Sequence, residues 1–429
     1  MKSSNAICLG FLLLCFSLNG CSDKPDIREK AIKTRIIIST DIGGTDPDDF
    51  QSMIHFLMYA NEFHTEGLIS SPYGEGRKQD ILDMLDLYEQ DYVHLAQNAD
   101  FPTAQYLRSI TKQGTTELAP FKGWSKASEG SNWIIKKAKE RDEDLWILVW
   151  GGLEDVAQAL HDAPEIIKKI KVYWIGGPNK KWSINAYAYI AENHPDLWMI
   201  EANATYRGWF LDRESKEEIS NKSFYKNFIS GKGQMGHAFK KYYDGEIKMG
   251  DSPSLTYLLN GSPHDPLSES WGGRFSPISH SSRFIFTGNS RLEDTVAAYA
   301  TLEWRFQGPD QVIPQDSVCF SMEIWGQIWP GYYCGNGVYC IRYSPKKPES
   351  GIYVTRSAIP ELDGLKGQYV SIIPWPGPEN KDDYSLGDQW FSDRKEKDFF
   401  LGTQQGAKTI SKHREAFLMD WAKRWKWLE

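Results

Sequence analysis

The chain has 429 residues, 41% hydrophobic and 25% charged, with a formal net charge of −8. These values exclude a disordered chain, a collagen-like or low-complexity chain and a multi-pass membrane protein. The acidic balance, with no Lys/Arg run longer than a pair, leaves no electrostatic footprint for a nucleic-acid partner. Aromatic residues reach 14%, a content that serves an ordinary core as well as stacking on sugars or bases.

Lys2 precedes an apolar run over residues 6–16, too short to span a bilayer and of the length of a signal-peptide core. The run ends in Leu18-Asn19-Gly20-Cys21, which resembles a bacterial lipobox. The expectation is an exported bacterial lipoprotein of the cell envelope. Residues 1–20 are then a removed signal peptide, 21–33 a polar tether, and the lipid on Cys21 the only link to a membrane. Cys319, Cys334 and Cys340 would remain, and the sequence leaves their pairing open: Cys334 with Cys340, or Cys319 with either.

From Arg35 onward, short apolar runs alternate with amphipathic stretches, the pattern of βα units around a mostly parallel sheet. Strands are expected over 35–40, 66–71, 145–150, 172–176 and 198–200, and helices over 50–59, 80–88 and 156–160. After about Pro309 the texture changes to aromatic-rich short strands between Gly and Pro turns, over 318–343 and 351–375. The chain closes on an amphipathic helix over 412–427. The organisation predicted is an α/β domain over 34–310, a mostly parallel open sheet with flanking helices. A β-rich aromatic insertion or subdomain follows over 311–400, and a C-terminal helix over 401–429.

The segment Thr40-Asp41-Ile42-Gly43-Gly44-Thr45-Asp46-Pro47-Asp48-Asp49 carries the chemistry. It falls where an α/β sheet binds its ligand, at the carboxyl end of a strand and the start of the next helix. Asp46 before Pro47 reads as a helix cap. Asp41, Asp48 and Asp49 remain, and a helix dipole favours each anion by less than about 1 kcal/mol, too little to gather three repelling charges. A hard divalent cation resolves that repulsion, and Ca²⁺ takes roughly six to eight oxygen ligands of this kind.

The segment resembles the aspartate fingerprint of the nucleoside hydrolases, Asp-x-Asp-x-Gly-x-Asp-Asp, with Ser39 at the first aspartate and two extra residues in the turn. Four further segments resemble that family in the same order. Trp150-Gly151-Gly152-Leu153-Glu154-Asp155 resembles its Gly-Gly/Pro-Leu-Thr-Asn turn, and Ile175-Gly176-Gly177-Pro178 its Met-Gly-Gly-Ala strand end. Asn185 with Ala191-Glu192-Asn193 resembles its Asn and Ala-Glu-x-Asn, one residue short. Gly250-Asp251-Ser252-Pro253 resembles its His-Asp-Pro helix start, with Gly250 in place of the histidine. The likeness covers roughly residues 34–305, and it extends to a secreted bacterial subgroup labelled nucleoside hydrolase-like or cellulose-binding, which shares Trp271-Gly272-Gly273-Arg274.

This resemblance implies a Ca²⁺-dependent hydrolase of N-glycosidic bonds acting on a ribosyl or related sugar. Asp41, Asp48, Asp49, Asp251 and the Trp150 carbonyl would be metal ligands, Asp41 also the base, and Asn185, Glu192 and Asn193 the sugar contacts. Trp271 and Arg274 would line the mouth of the site. His264-Asp265-Pro266-Leu267 literally repeats His-Asp-Pro-Leu, which makes Asp265 an alternative ligand and His264 an alternative acid. Glu75 and Arg77 follow the second strand at the same edge, while Ser70-Ser71 stands where the family carries a sugar-binding Asn. The alternatives are a non-catalytic glycan-binding lipoprotein and an O-glycosidase using the same pocket. The expected partner is a small sugar or nucleoside, with self-association open.

Overall fold

The computed structural model describes residues 33–71, 74–212 and 216–429, so the expected leader and the tether up to residue 32 lie outside the described residues. The chain from Thr34 to Glu429 packs as one unit. Among the described residues no helix is long and apolar enough to cross a membrane.

The first sheet is laid down in chain order as β1 (Thr34–Thr40), α1 (Asp48–Met58), β2 (Phe63–Ser70), α2 (Lys78–Asn98), α3 (Ala104–Ser109), β3 (Thr111–Gln113), α4 (Glu129–Glu140), β4 (Leu145–Val149), α5 (Glu154–Asp162), β5 (Ile170–Ile175), α6 (Pro178–Trp182), α7 (Ile184–Asn193) and β6 (Trp198–Ala202). Irregular chain with α8 (Gly233–Phe239) and α9 (Ser252–Leu259) then leads to β7 (Phe275–Pro277). Central strands such as β1, Thr-Arg-Ile-Ile-Ile-Ser-Thr, are apolar on both faces because helices cover both. Strand order runs β3-β2-β1-β4-β5-β6, all parallel, so the order reverses between β1 and β4. Loops leaving those two strands diverge there and open a crevice at their carboxyl ends.

The second sheet comes from β9 (Arg283–Thr287), β10 (Thr295–Ala297), β11 (Thr301–Gln307), β12 (Val318–Ile324), β13 (Gln327–Gly335), β14 (Val338–Tyr343), β15 (Glu349–Ser357) and β16 (Lys366–Ile372), while β8 (His280–Ser281) and β17 (Tyr384–Ser385) pair as a separate two-stranded ribbon, β18 (Trp390–Asp393) joins the first sheet, and α10 (Lys408–Ser411) and α11 (Arg414–Trp425) close the chain. The second sheet's order is β10-β16-β15-β12-β13-β14-β11-β9, antiparallel within and parallel at both ends. One face buries Trp304, Trp329, Tyr339, Tyr353 and Tyr369 in an aromatic core of its own. Cys334 and Cys340 form a disulfide that closes the β13–β14 hairpin, and Cys319 is a free thiol.

The structure differs from the sequence reading in three places. The second sheet begins at Arg283, well before the change of texture near Pro309 and before residue 311. It also ends at Ile372, and β18 belongs to the first sheet, parallel beside β6, with β7 antiparallel at the outer edge. And α2 runs on to Asn98, ten residues past the expected end, because Leu85, Tyr88 and Leu95 keep one stripe of it in the core. The terminal helix α11 puts Phe417, Trp421 and Trp425 into the cluster that also holds Met53, Phe56 and Trp209.

Candidate functional site

The site is built from two helix starts that meet at the crevice. After β1, the chain turns at Gly43, whose positive φ of 79° suits glycine, and the amide of Gly44 donates to the Asp41 carbonyl at 2.8 Å. α1 then opens with Asp48 and Asp49 in its first turn. Asp46 does not cap this helix, because Pro47 takes the flanking position; its carboxylate instead accepts from Tyr243 and from Lys248 at 3.4 Å. Asp251 flanks the first turn of α9, with Pro253 just inside that helix.

Although some two hundred residues separate them, Asp48, Asp49 and Asp251 each offer a carboxylate oxygen within 4.8 Å of the others. Each is fixed from behind. Asp48 Oδ2 accepts from the Gly250 amide at 3.1 Å, Asp49 Oδ1 from the Thr40 hydroxyl, and Asp251 Oδ2 from the Ser52 hydroxyl at 3.2 Å. Asp41 stands within hydrogen-bond reach of Asp49. Gly151 makes room for it, since a Cβ there would lie 2.7 Å from that of Asp41.

Burial, and after it the neighbouring acid Asp46, pushes Asp41 up to about 6 and Asp48 up to about 7. Asp49 and Asp251 rise well above the usual carboxylate range, first by burial and then by the charges of their neighbours. Lys248 and Arg207 are near Asp48, yet among the described residues no side-chain cation comes within 4 Å of Asp48, Asp49 or Asp251. Oxygen donors converging without a paired cation fit a hard divalent ion.

The other sequence-derived candidates divide. Trp150 follows the last residue of β4, its indole donating to Ser254 Oγ at 2.8 Å, and its carbonyl accepts from Asn179 at 2.6 Å. Asn185 sits in the first turn of α7, but its amide donates to the Ala119 carbonyl at 3.0 Å and its oxygen faces Arg342 of the second sheet at 3.5 Å. Glu192 and Asn193 are exposed in the last turn of that helix, at the opposite edge of the sheet, where the chain turns back into β6. They do not face the cluster, because α7 runs antiparallel to the strands it connects.

His264 is likewise at the amino edge, 2.9 Å from Lys171 at the start of β5 and 3.7 Å from Asp144 just before β4. Asp265 is spent on its own loop, accepting from the Leu267 amide at 3.1 Å and from Ser268. Neither joins the acids. Trp271 packs on the first core, and Gly272 fits under α9, its carbonyl accepting from Tyr173 at 2.7 Å. Arg274 bonds the Leu267 carbonyl at 2.6 Å and faces Glu269 at 3.6 Å, so the Trp271–Arg274 turn serves local packing. Arg77 folds onto the carbonyl of Gly74 at 2.7 Å, its backbone amide donates to Asp80 at 2.8 Å at the start of α2, and Glu75 is exposed.

The sequence reading passed over Glu201 and Asn203. Their Glu-x-Asn spacing places them on one side of the strand end of β6, and it completes the pattern that 191–193 meets one residue short. Asn203 Oδ1 accepts from the Gly177 amide at 3.1 Å. Glu201 is fully buried and receives Lys180 at 2.7 Å, Asn203 at 2.7 Å, Tyr187 at 2.9 Å and Trp390 at 3.2 Å. Its acceptor capacity is used inside the protein.

Comparison with known proteins matches residues 35–275 to the family described as cellulose-binding Sde182, nucleoside hydrolase-like domain. Residues 295–358 match a domain of unknown function. No curated protein matches the chain. Among solved structures, the chain is similar to a nucleoside hydrolase-related protein from Saccharophagus degradans associated with carbohydrate metabolism: 19% identity over 80% of this chain and 100% of that one, TM-score 0.49. It is also similar to an inosine-uridine preferring nucleoside hydrolase from Bacillus anthracis, 14% identical over 59% and 87%, TM-score 0.37. A purine-preferring ribonucleoside hydrolase from Gardnerella vaginalis is 13% identical over 58% and 84%, TM-score 0.36.

Proposed function

The chain belongs to the family of cellulose-binding Sde182, nucleoside hydrolase-like domains, and on that premise we propose that it is a Ca²⁺-dependent carbohydrate protein whose acid cluster hydrolyses an N-glycosyl bond of a ribosyl or related sugar. The observation that carries this reading is the convergence of Asp48, Asp49 and Asp251 from two helix starts, within 4.8 Å and without a paired side-chain cation among the described residues.

Asp48, Asp49, Asp251 and the Trp150 carbonyl would hold the ion. When bound, a divalent cation supplies the charge that neutralises these acids, chelates vicinal sugar hydroxyls and acidifies a water. Asp41, at the rim and tied to the same group through Asp49, takes the proton of that attacking water on a carboxylate oxygen. Gly250 brings no acid to the leaving group, so the substrate suited to this site is one whose aglycone departs without protonation from that position. The family description and the expected leader fit an exported protein that meets carbohydrate outside the cell.

The test is release of free base or reducing sugar from a panel of nucleosides, ribosides and oligosaccharides, by wild type and Asp49→Ala, with and without chelator. Turnover that needs Ca²⁺ and Asp49 is the expected result, and a silent panel overturns hydrolysis. A second reading, glycan binding without turnover, is favoured by one observation: the buried Glu201 is already saturated by Lys180, Asn203, Tyr187 and Trp390. Saturable, chelator-sensitive binding without product would select it.

A further inference from the structure

One face of α1 continues past the acids. Ser52 and His55 follow Asp48 and Asp49 at helical spacing, so all four residues look toward the start of α9. Ser52 Oγ lies 3.2 Å from Asp251 Oδ2 and 3.3 Å from the Asp251 amide, gripping both ends of that residue. One turn further on, His55 Nδ1 lies 2.9 Å from the hydroxyl of Ser252. His55 is itself confined: Tyr59 and Trp421 meet its ring edge-on at 5.1 Å each, and Trp209 lies at 5.4 Å. Trp421 belongs to α11, so the last helix of the chain closes the back of this ladder.

The ladder rests on the ion site of the previous subsection. From these contacts we infer that Ser52 and His55 are positioning residues, which hold the start of α9 so that the Asp251 carboxylate faces Asp48 and Asp49. An ion ligand whose orientation is set before the ion arrives binds more tightly, and a ligand free to rotate gives up affinity and selectivity. The chain before Asp251 is tied to α1 through the Gly250 amide on Asp48 and the Lys248 and Met249 amides on Gln51. At Asp251 and Ser252 themselves the ties to α1 are these two side-chain bonds, with no strand pairing to back them. Ser52 acts through Asp251 and His55 through Ser252.

The test is calorimetric titration of chelator-treated protein with CaCl₂ and separately with MgCl₂, beside the thermal midpoint of the ion-free protein. Ser52→Ala and His55→Leu remove the bonds at near-constant volume, while Ser52→Thr and His55→Asn keep a polar partner. Ca²⁺ affinity is expected to fall about tenfold in Ser52→Ala and His55→Leu. Their ion-free midpoints should stay near that of wild type, and the ratio of Ca²⁺ to Mg²⁺ affinity should shrink, because a loosened ligand set no longer enforces size. Ser52→Thr and His55→Asn should restore at least part of both. Ser52→Ala and His55→Leu proteins that fold and bind Ca²⁺ within twofold of wild type would overturn the inference alone. A wild type that binds neither ion overturns the ion site and the inference with it.

Discussion

Two of the places where the molecule gathers buried acidic groups treat them in opposite ways. In the second sheet, Glu303 on β11 is fully buried and receives three guanidiniums: Arg283 at 2.7 Å, Arg342 at 2.8 Å and Arg305 at 2.5 Å. Burial alone would raise it, but the three arginines outweigh burial and hold it at about 2. At the crevice of the first sheet, three acids converge without such a partner, and all are raised. A chain that can place arginines around one glutamate leaves these aspartates bare. The contrast sets a carboxylate satisfied within the fold against carboxylates that the proposed ion would satisfy.

The largest effect that tests this contrast is at Asp49. Asp49→Asn keeps an acceptor for Thr40 but removes one of the repelling charges. The ion-free protein should therefore melt higher at pH 8, while the stabilisation that millimolar Ca²⁺ gives wild type disappears. Differential scanning calorimetry with and without Ca²⁺ reads both. A variant that melts lower without ion would mean that the acids support the fold.

Glu303→Gln should do the reverse, costing about 3–5 kcal/mol at pH 7 and leaving Ca²⁺ affinity unchanged. The folded value of Glu303 is depressed to about 2, so its stabilisation is full above the unfolded value of about 4.3 and is lost as pH falls through 2. Urea denaturation should thus show the gap between variant and wild type narrowing from pH 5 to pH 2.

The smallest effect is at Gly250. A Cβ there would lie 2.4 Å from Asp48 Oδ2. Gly250→Ala should push that carboxylate aside and weaken Ca²⁺ binding about tenfold. For the same reason Gly250→His should not gain hydrolysis, because its side chain must displace Asp48 before it can serve as an acid. Faster turnover in that variant would show that the crevice adapts more readily than its packing implies.

What the sequence revealed follows the reach of its signals. Asp48 and Asp49 declare themselves because an apolar strand, a glycine turn and a helix start lie within a few residues of each other. Asp251 is readable because Asp-Ser-Pro opens an apolar helix. Glu192 and Asn193 show the limit of a local match: Ala191-Glu192-Asn193 fits in letters, but it lies on a helix running away from the acids, whereas the Glu-x-Asn of Glu201 and Asn203 lies at the end of a strand. His55 gave no sign, since a buried histidine in an apolar helix shows its purpose only through Ser252, which is remote in sequence. The pairing of β18 with β6 is equally silent, because parallel neighbours so far apart share no turn.

That returning strand also dictates how the protein can be made. Until the ribosome has delivered the chain past Asp393, the outer rim of β6 has no neighbour and offers a row of open amides and carbonyls to any passing strand. A product shortened at the end of the family-matched region, at residue 275, would therefore be no miniature of the whole but a sticky fragment, prone to clump with its own kind.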